Sequence, residues 1–294
     1  MSYENQMMLL GKLHVDRIKS IQLYQGISDV EFKVFSQWGQ DGIIQYLINR
    51  IPMSNKVFIE FGVENYRESN TRFLMMNDNW SGLVIDGSQE NIDFIQSEGL
   101  YWKYDINAVK SFITRDNIDW LIKSNLPGRD ADLLSIDIDG NDYWVWEAIH
   151  CINPSIVICE YNSVFGNGAK ITVPYREDFY RTQAHHSNLY FGASLSALIS
   201  LAERKGYVFF GATSAGNDAF FIRKDHAHYV AQELEYARYV YSKARESRGQ
   251  DGALTYLRDV QRIACIEEME VWDLDTSDTV KISSLLAQGR IIYE

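Results

Sequence analysis

Asp132-Leu133-Leu134-Ser135-Ile136-Asp137-Ile138-Asp139-Gly140-Asn141-Asp142 decides how the rest of this chain is read. A short apolar run ends in a cluster of carboxylates. Ser155-Ile156-Val157-Ile158-Cys159-Glu160-Tyr161-Asn162 repeats the pattern, again closing an apolar run with an acid. Short β-branched runs of this kind form buried parallel strands. Open α/β sheets bind ligands just beyond the carboxyl ends of their strands. Two neighbouring strands tipped with acids therefore predict a site for a cation, a sugar or a proton to be removed.

Working outward, strands and helices alternate. Lys56-Val57-Phe58-Ile59-Glu60-Phe61-Gly62 predicts a first strand and turn, and residues 69–76 a helix. Ser81-Gly82-Leu83-Val84-Ile85-Asp86-Gly87 predicts a second strand, followed by a helix over 89–98 with Ser88 as its cap. Residues 100–105 read as a short third strand, and 108–126 as a helix broken at Pro127-Gly128. A helix over 143–149 separates the two acid-tipped strands, a helix over 194–205 stops at Gly206, and 207–211 with 219–223 frame a hairpin. This alternation predicts the α/β class, with a doubly wound, mostly parallel sheet over residues 35–224. Residues 1–34 predict an N-terminal helical arm, with Met8, Leu9, Leu13, Ile18 and Ile21 at helical spacing. Residues 163–191 form a long loop at the strand-end face. Residues 225–294 predict an appendage for dimerisation or substrate covering: a long Tyr-rich helix over 228–248, a second reaching Cys265, and strand-like alternation near 270–275 and 280–282.

The bulk properties narrow the function. A net charge of −12 with no long Lys/Arg cluster argues against nucleic-acid binding. No stretch approaches the ~18 apolar residues of a membrane span, and residues 1–6 lack the basic-then-apolar order of a leader. A cytoplasmic protein is expected. Cys151, Cys159 and Cys265 form neither a CxxC pair nor a disulfide framework, so reduced thiols are expected. The 18 Tyr, 14 Phe and 7 Trp read first as core and interface rings and second as stacking surfaces for sugars or bases.

Individual motifs sharpen this. Glu60-Phe61-Gly62 lets a ligand lie close over the turn after the first strand, but a GxGxxG dinucleotide cradle is missing. Asp86 is placed to accept hydrogen bonds from both ribose hydroxyls of a nucleoside, against the alternative of a turn aspartate before Gly87. Asp137 and Asp139 share one face of their strand, and like charges so close raise a pKa or require a cation. One reading is Mg²⁺ or Mn²⁺ held by Asp139, Glu160 and Asn162; the other is a hydrogen-bonded carboxylate network without metal. The 137–142 string lacks the full pattern and closing acid of a calcium loop. His185-His186 offers a general base in the long loop, against a merely solvated pair, while His226 and His228 read as structural.

Taken together, F-S-Q-W-G-Q-D-G (35–42), F-I-E-F-G-V (58–63), G-L-V-I-D-G-S (82–88), L-L-S-I-D-I-D-G-N-D-Y (133–143) and I-C-E-Y-N (158–162) resemble class I S-adenosylmethionine-dependent methyltransferases, in particular the FkbM-type and related sugar O-methyltransferases. The segments 190–198 and 214–223 resemble their late helix and final hairpin. The resemblance implies a seven-stranded Rossmann-like sheet with an antiparallel last strand, and S-adenosylmethionine as cofactor. It places Glu60 and Gly62 near the methionine part, Asp86 on the ribose, Asp105 near the adenine and Asp137 at the transfer centre, with Ser36 and Gln37 closing over the site. Asp139, Glu160 or His186 would take the acceptor proton, or a metal would acidify the acceptor hydroxyl. The implied acceptor is a sugar hydroxyl, in surface-polysaccharide or glycoside synthesis. The chain departs from many class I enzymes in keeping only one glycine of the E/D-x-G-x-G-x-G turn. The rival readings are a nucleotide-cofactor oxidoreductase or nucleotide-sugar enzyme, and a non-catalytic binding protein on the same sheet.

Overall fold

Burial on both faces explains why the central strands read as unbroken apolar runs. The computed structural model describes residues 3–126 and 128–293, so the break expected at Pro127 lies outside the described residues. The strands are β1 (Val57–Phe61), β2 (Ser81–Asp86), β3 (Ile106–Lys110), β4 (Leu133–Ile136), β5 (Ile156–Glu160), β6 (Ile171–Thr172), β7 (Tyr207–Ala212), β8 (Asp218–Arg223), β9 (Glu270–Asp273) and β10 (Asp278–Lys281). The main sheet has seven strands in the order β3-β2-β1-β4-β5-β8-β7. Strands β1 to β5 pair in parallel, and β8 runs antiparallel to both β5 and β7. This is the sheet that the resemblance implies.

The helices are α1 (Tyr3–Lys19), α2 (Gln40–Arg50), α3 (Arg72–Asp78), α4 (Gln89–Ser97), α5 (Gly99–Lys103), α6 (Ile118–Asn125), α7 (Asp142–Ala148), α8 (Arg181–Ala184), α9 (Leu195–Lys205), α10 (Val260–Cys265) and α11 (Ile282–Ala287). Alternate strand residues feed two cores. Phe58, Val84, Leu133 and Ile158 pack under α1 to α4. Ile59, Leu83, Leu134, Val157 and Phe221 pack under α6, α7 and α9. Truncating a fully buried ring such as Phe58 or Phe221 to alanine costs about 3–5 kcal/mol.

Three expectations are corrected. The third strand lies later than expected: residues 99–103 form the short helix α5, and Ile106–Lys110 pairs with β2. Ile106 and Ala108 alternate inward, a period-2 signal that the helical reading of 108–126 overrides wrongly; the helix occupies only Ile118–Asn125. The long helix over 228–248 does not form. Residues 224–230 and 233–236 are 3₁₀ turns, and 237–247 carry neither helix nor strand. Tertiary bonds override helix propensity there: Tyr239 Oη donates to Ser163 O, Tyr161 Oη donates to Val240 O, and the Ser242 amide donates to Ser163 Oγ. The helical dimer face expected on this segment goes with it.

The end of the chain packs on the 163–191 loop. Strands β9 and β10 form a small sheet with β6, in the order β10-β9-β6. A third core, including Phe165, Ile171, Ile263, Val271 and Leu285, seals it. No helix among the described residues is long and apolar enough to cross a membrane.

Candidate active site

The carboxyl ends of β1, β2, β4 and β5 open on a cleft of about 650 Å³, with the start of β8 at its edge. Gly62 makes the approach of two strand ends feasible. Its φ is +69°, and a Cβ there would stand 1.6 Å from the Asp137 carbonyl oxygen.

Two of the rim acids are anchored. Glu60 accepts from Ser69 Oγ and the Asn70 amide, both at 2.8 Å, and from the amide and hydroxyl of Thr71. Burial pushes its carboxyl upward, and these bonds oppose the shift. Asp86 accepts from the amides of Glu64 and Ser88 at 2.8 Å and from Asn91 Nδ2 at 3.0 Å. It thereby fastens the turn after β1 to the start of α4, where Ser88 caps through the Asn91 amide as the sequence predicts.

The floor is different. Oxygen atoms of Asp137, Asp139 and Glu160 all lie within 4.8 Å of one another. Burial, then the charges of Asp139, Asp218 and Asp142, push the Asp137 carboxyl well above the usual range. Burial, then Asp137 and Asp139, push Glu160 well up, with Arg181 opposing. Oε2 of Glu160 is buried and has no hydrogen-bond partner. Asp139 adopts φ +55°, a left-handed conformation that aspartate tolerates better than most residues. Asp142 stabilises that turn by accepting from the Ile138 amide at 2.8 Å and the Gly140 amide at 2.9 Å, while burial pushes its pKa to about 6. Asp218 pairs in register with Glu160 and accepts from Gln40 Nε2 at 2.5 Å, and burial pushes it to about 6.

Arg181 is the one cation among the described residues that line the cleft. Its Nη1 donates to Asp139 Oδ1 at 2.5 Å, its Nε donates to Asn188 O at 2.9 Å, and its guanidinium lies 3.7 Å from the Phe191 ring centroid. Burial lowers the Arg181 pKa, but Glu160 and Asp139 outweigh it and raise the net value. Sequence reading missed this residue. Its signal is an arginine in the long loop that follows an acid-tipped strand.

Glu60, Gly62, Asp86, Asp137, Asp139, Glu160 and Gln37 all reach this cleft. Others do not. Ser36 is buried one layer back, its Oγ accepting from the Asp41 amide while Asp41 Oδ2 gathers the amides of Val34, Phe35 and Ser36. Asp105 precedes β3 rather than following it, so it stands at the opposite end of the strand in an ion pair with Arg129 at 3.2 Å. Ser111, Phe112 and Ile113 occupy the cleft where Asp105 was expected, with the Phe112 ring 5.2 Å from that of Tyr180. Asn162 turns away from the acids. Its Nδ2 donates to Leu189 O and Phe191 O, and its Oδ1 accepts from the Val164 amide, so Asp137 and not Asn162 is the third group of the cluster. His186 lies outside the cleft lining, beside His185 and Cys265.

No family model matches the chain, and no curated protein matches it. Among solved structures it is similar to an S-adenosylmethionine-dependent methyltransferase from Clostridium acetobutylicum, at 11% identity over 63% of this chain and 90% of that one, with a TM-score of 0.38. It is also similar to a putative caffeoyl-CoA O-methyltransferase from Staphylococcus aureus, at 12% identity over 74% and 99% of the two chains, with a TM-score of 0.41. Human N-acetylserotonin methyltransferase in complex with SAM gives 16% identity over 63% and 56%, with a TM-score of 0.36.

Proposed function

We propose that this chain is an S-adenosylmethionine-dependent O-methyltransferase acting on a sugar hydroxyl, within surface-polysaccharide or glycoside synthesis. The observation that carries the reading is the conjunction of a β8 antiparallel to its neighbours with Gly62, Asp86 and Asp137 on one cleft rim. The sequence resemblance implies that conjunction, and a dinucleotide cradle is missing from it.

The cleft's groups suit the cofactor. Oδ2 of Asp86 meets a single amide and retains lone-pair capacity for a ribose hydroxyl. Phe112 and Ile113 offer an apolar, aromatic wall for an adenine ring in place of Asp105. The Asp137 carboxylate suits the cationic methionine end. Bound there, S-adenosylmethionine supplies an electrophilic methyl group on a sulfonium.

The remaining chemistry belongs to the chain. An acceptor hydroxyl must be held in line and lose its proton. Glu160 is the base: burial and the charges of Asp137 and Asp139 raise its proton affinity, and its Oε2 is unengaged. Arg181 orients Asp139. The exposed Tyr180 ring and the amides of Gln37 and Asn70 form a lip suited to a polyol. The close approach of three carboxylates and the unpartnered Glu160 oxygen also fit a hard cation. Mg²⁺ or Mn²⁺ held by Asp137, Asp139 and Glu160 would supply Lewis acidity toward the acceptor hydroxyl.

Calorimetry with S-adenosylhomocysteine and NAD tests the cofactor, and transfer of labelled methyl to a monosaccharide panel tests the acceptor. Binding of S-adenosylhomocysteine with methylation of a sugar is expected. Binding of NAD instead, or of neither, overturns the assignment.

A further inference from the structure

A second cluster of chemically active side chains stands apart from the cleft and owes nothing to the function proposed above. His185 and His186 follow α8, and Cys265 ends α10 in the C-terminal unit. One ligand atom from each lies within 4.8 Å of the other two. We propose that these three residues form a binding site for a borderline-soft divalent cation of the Zn²⁺ class.

The donor set selects the metal. Two imidazoles and a thiolate suit Zn²⁺, Co²⁺ or copper, whereas Mg²⁺ and Ca²⁺ require oxygen ligands. Three protein ligands leave a fourth tetrahedral position for water. His185 is already oriented: its Nδ1 lies 2.7 Å from Ser187 Oγ, and Ser187 is fully buried and ties its carbonyl to the Arg248 amide. Ligation through Nε2 requires the tautomer in which Nδ1–H donates to Ser187 Oγ, the kind of supporting bond that fixes a metal-bound imidazole, in place of accepting from the Ser187 amide 3.3 Å away. The three cysteines are free, so Cys265 is available as a ligand. Binding forms a metal–sulfur bond and releases the thiol proton to solvent.

The site joins segments far apart in the chain. Tyr180 and Arg181, five and four residues before His185, line the cleft, while α10 belongs to the third core with Ile263 and Ile266. An ion held here ties the cleft-covering turn to the C-terminal unit.

Co²⁺ replaces Zn²⁺ as a visible probe. Titration of the reduced, full-length protein with Co²⁺ is expected to give a thiolate-to-cobalt charge-transfer band and tetrahedral visible bands, both bleached by Zn²⁺. Cys265→Ser removes the sulfur band. His186→Gln, at an exposed side chain, weakens Co²⁺ binding by at least about tenfold. Glu160→Gln leaves the band unchanged, which separates this site from the carboxylates of the cleft. Lack of a sulfur band in the wild type, or wild-type affinity in the His186→Gln protein, overturns the proposal. The histidine variant decides the matter even if Cys265→Ser fails to fold.

Discussion

Replacing Glu160 by glutamine should stabilise the protein and disable it together, and the stabilisation should grow with pH. The carboxylates of Asp137, Asp139 and Glu160 approach within 4.8 Å, and Arg181 compensates Asp139 directly. That leaves Asp137 facing Glu160. Two unit charges at this separation repel by about 3 kcal/mol at an effective dielectric near 20. Glutamine keeps the shape and deletes the charge. Below the unfolded glutamate pKa of about 4.3, Glu160 is protonated in both states, and the variant gains little. As pH rises, the unfolded chain ionises freely while the folded chain holds its proton. The wild type therefore loses stability until the raised folded pKa is passed. Urea unfolding followed by tryptophan fluorescence from pH 4 to pH 8 should show the Glu160→Gln protein gaining up to about 3 kcal/mol over wild type. Methyl transfer should fall by about 10²–10⁴-fold, the usual contribution of a general base. A stability difference that is flat with pH, or that shrinks as pH rises, refutes the electrostatic account; unimpaired transfer refutes the assignment of the base.

Asp86→Ala should weaken S-adenosylhomocysteine binding about a hundredfold in calorimetry, through loss of charge-assisted bonds of about 1.5–3 kcal/mol each; unchanged affinity removes Asp86 from the site. Phe112→Ala should cost about tenfold in the same titration, within the range of about 1–3 kcal/mol for aromatic–base stacking, with folding unaffected. Gly62→Ala should destabilise by more than about 3 kcal/mol, because a backbone collision joins a left-handed φ; a thermal midpoint within a degree of wild type would contradict the close packing of β1 on β4.

The sheet was legible because its strands are buried on both faces. Runs such as Leu133-Leu134-Ser135-Ile136 and Ile156-Val157-Ile158-Cys159 leave no helical alternative of sufficient length. β3 was not legible in its right place, because Ile106-Asn107-Ala108-Val109-Lys110 mixes exposure along an edge strand and lacks the apolar density of its neighbours. That displacement made Asp105 look like a cleft residue and hid Phe112. The segment over 228–248 misled in the opposite direction. Its composition suits a helix, but Tyr239 and Ser242 find partners on Ser163 that no local pattern announces.

What sequence could not distinguish at all is which acids of the rim are structural and which are chemically free. Glu60, Asp86 and Asp142 read like Glu160, each a carboxylate beside a strand end. In the fold, Glu60 is saturated by the 69–71 turn, Asp142 is held by the 138 and 140 amides, and Asp86 is anchored by the 64 and 88 amides with lone-pair capacity left on Oδ2. Such carboxylates hold backbone and cannot easily exchange protons with a substrate. Glu160 has no such clasp on Oε2 and faces Asp137 and Asp139 instead. A carboxylate left short of donors among like charges binds a proton or a cation more tightly than its neighbours do. The scaffold acids fix the rim, and the uncompensated repulsion at its floor raises the proton affinity of Glu160, which is why the proposed base is Glu160 and not one of the anchored acids.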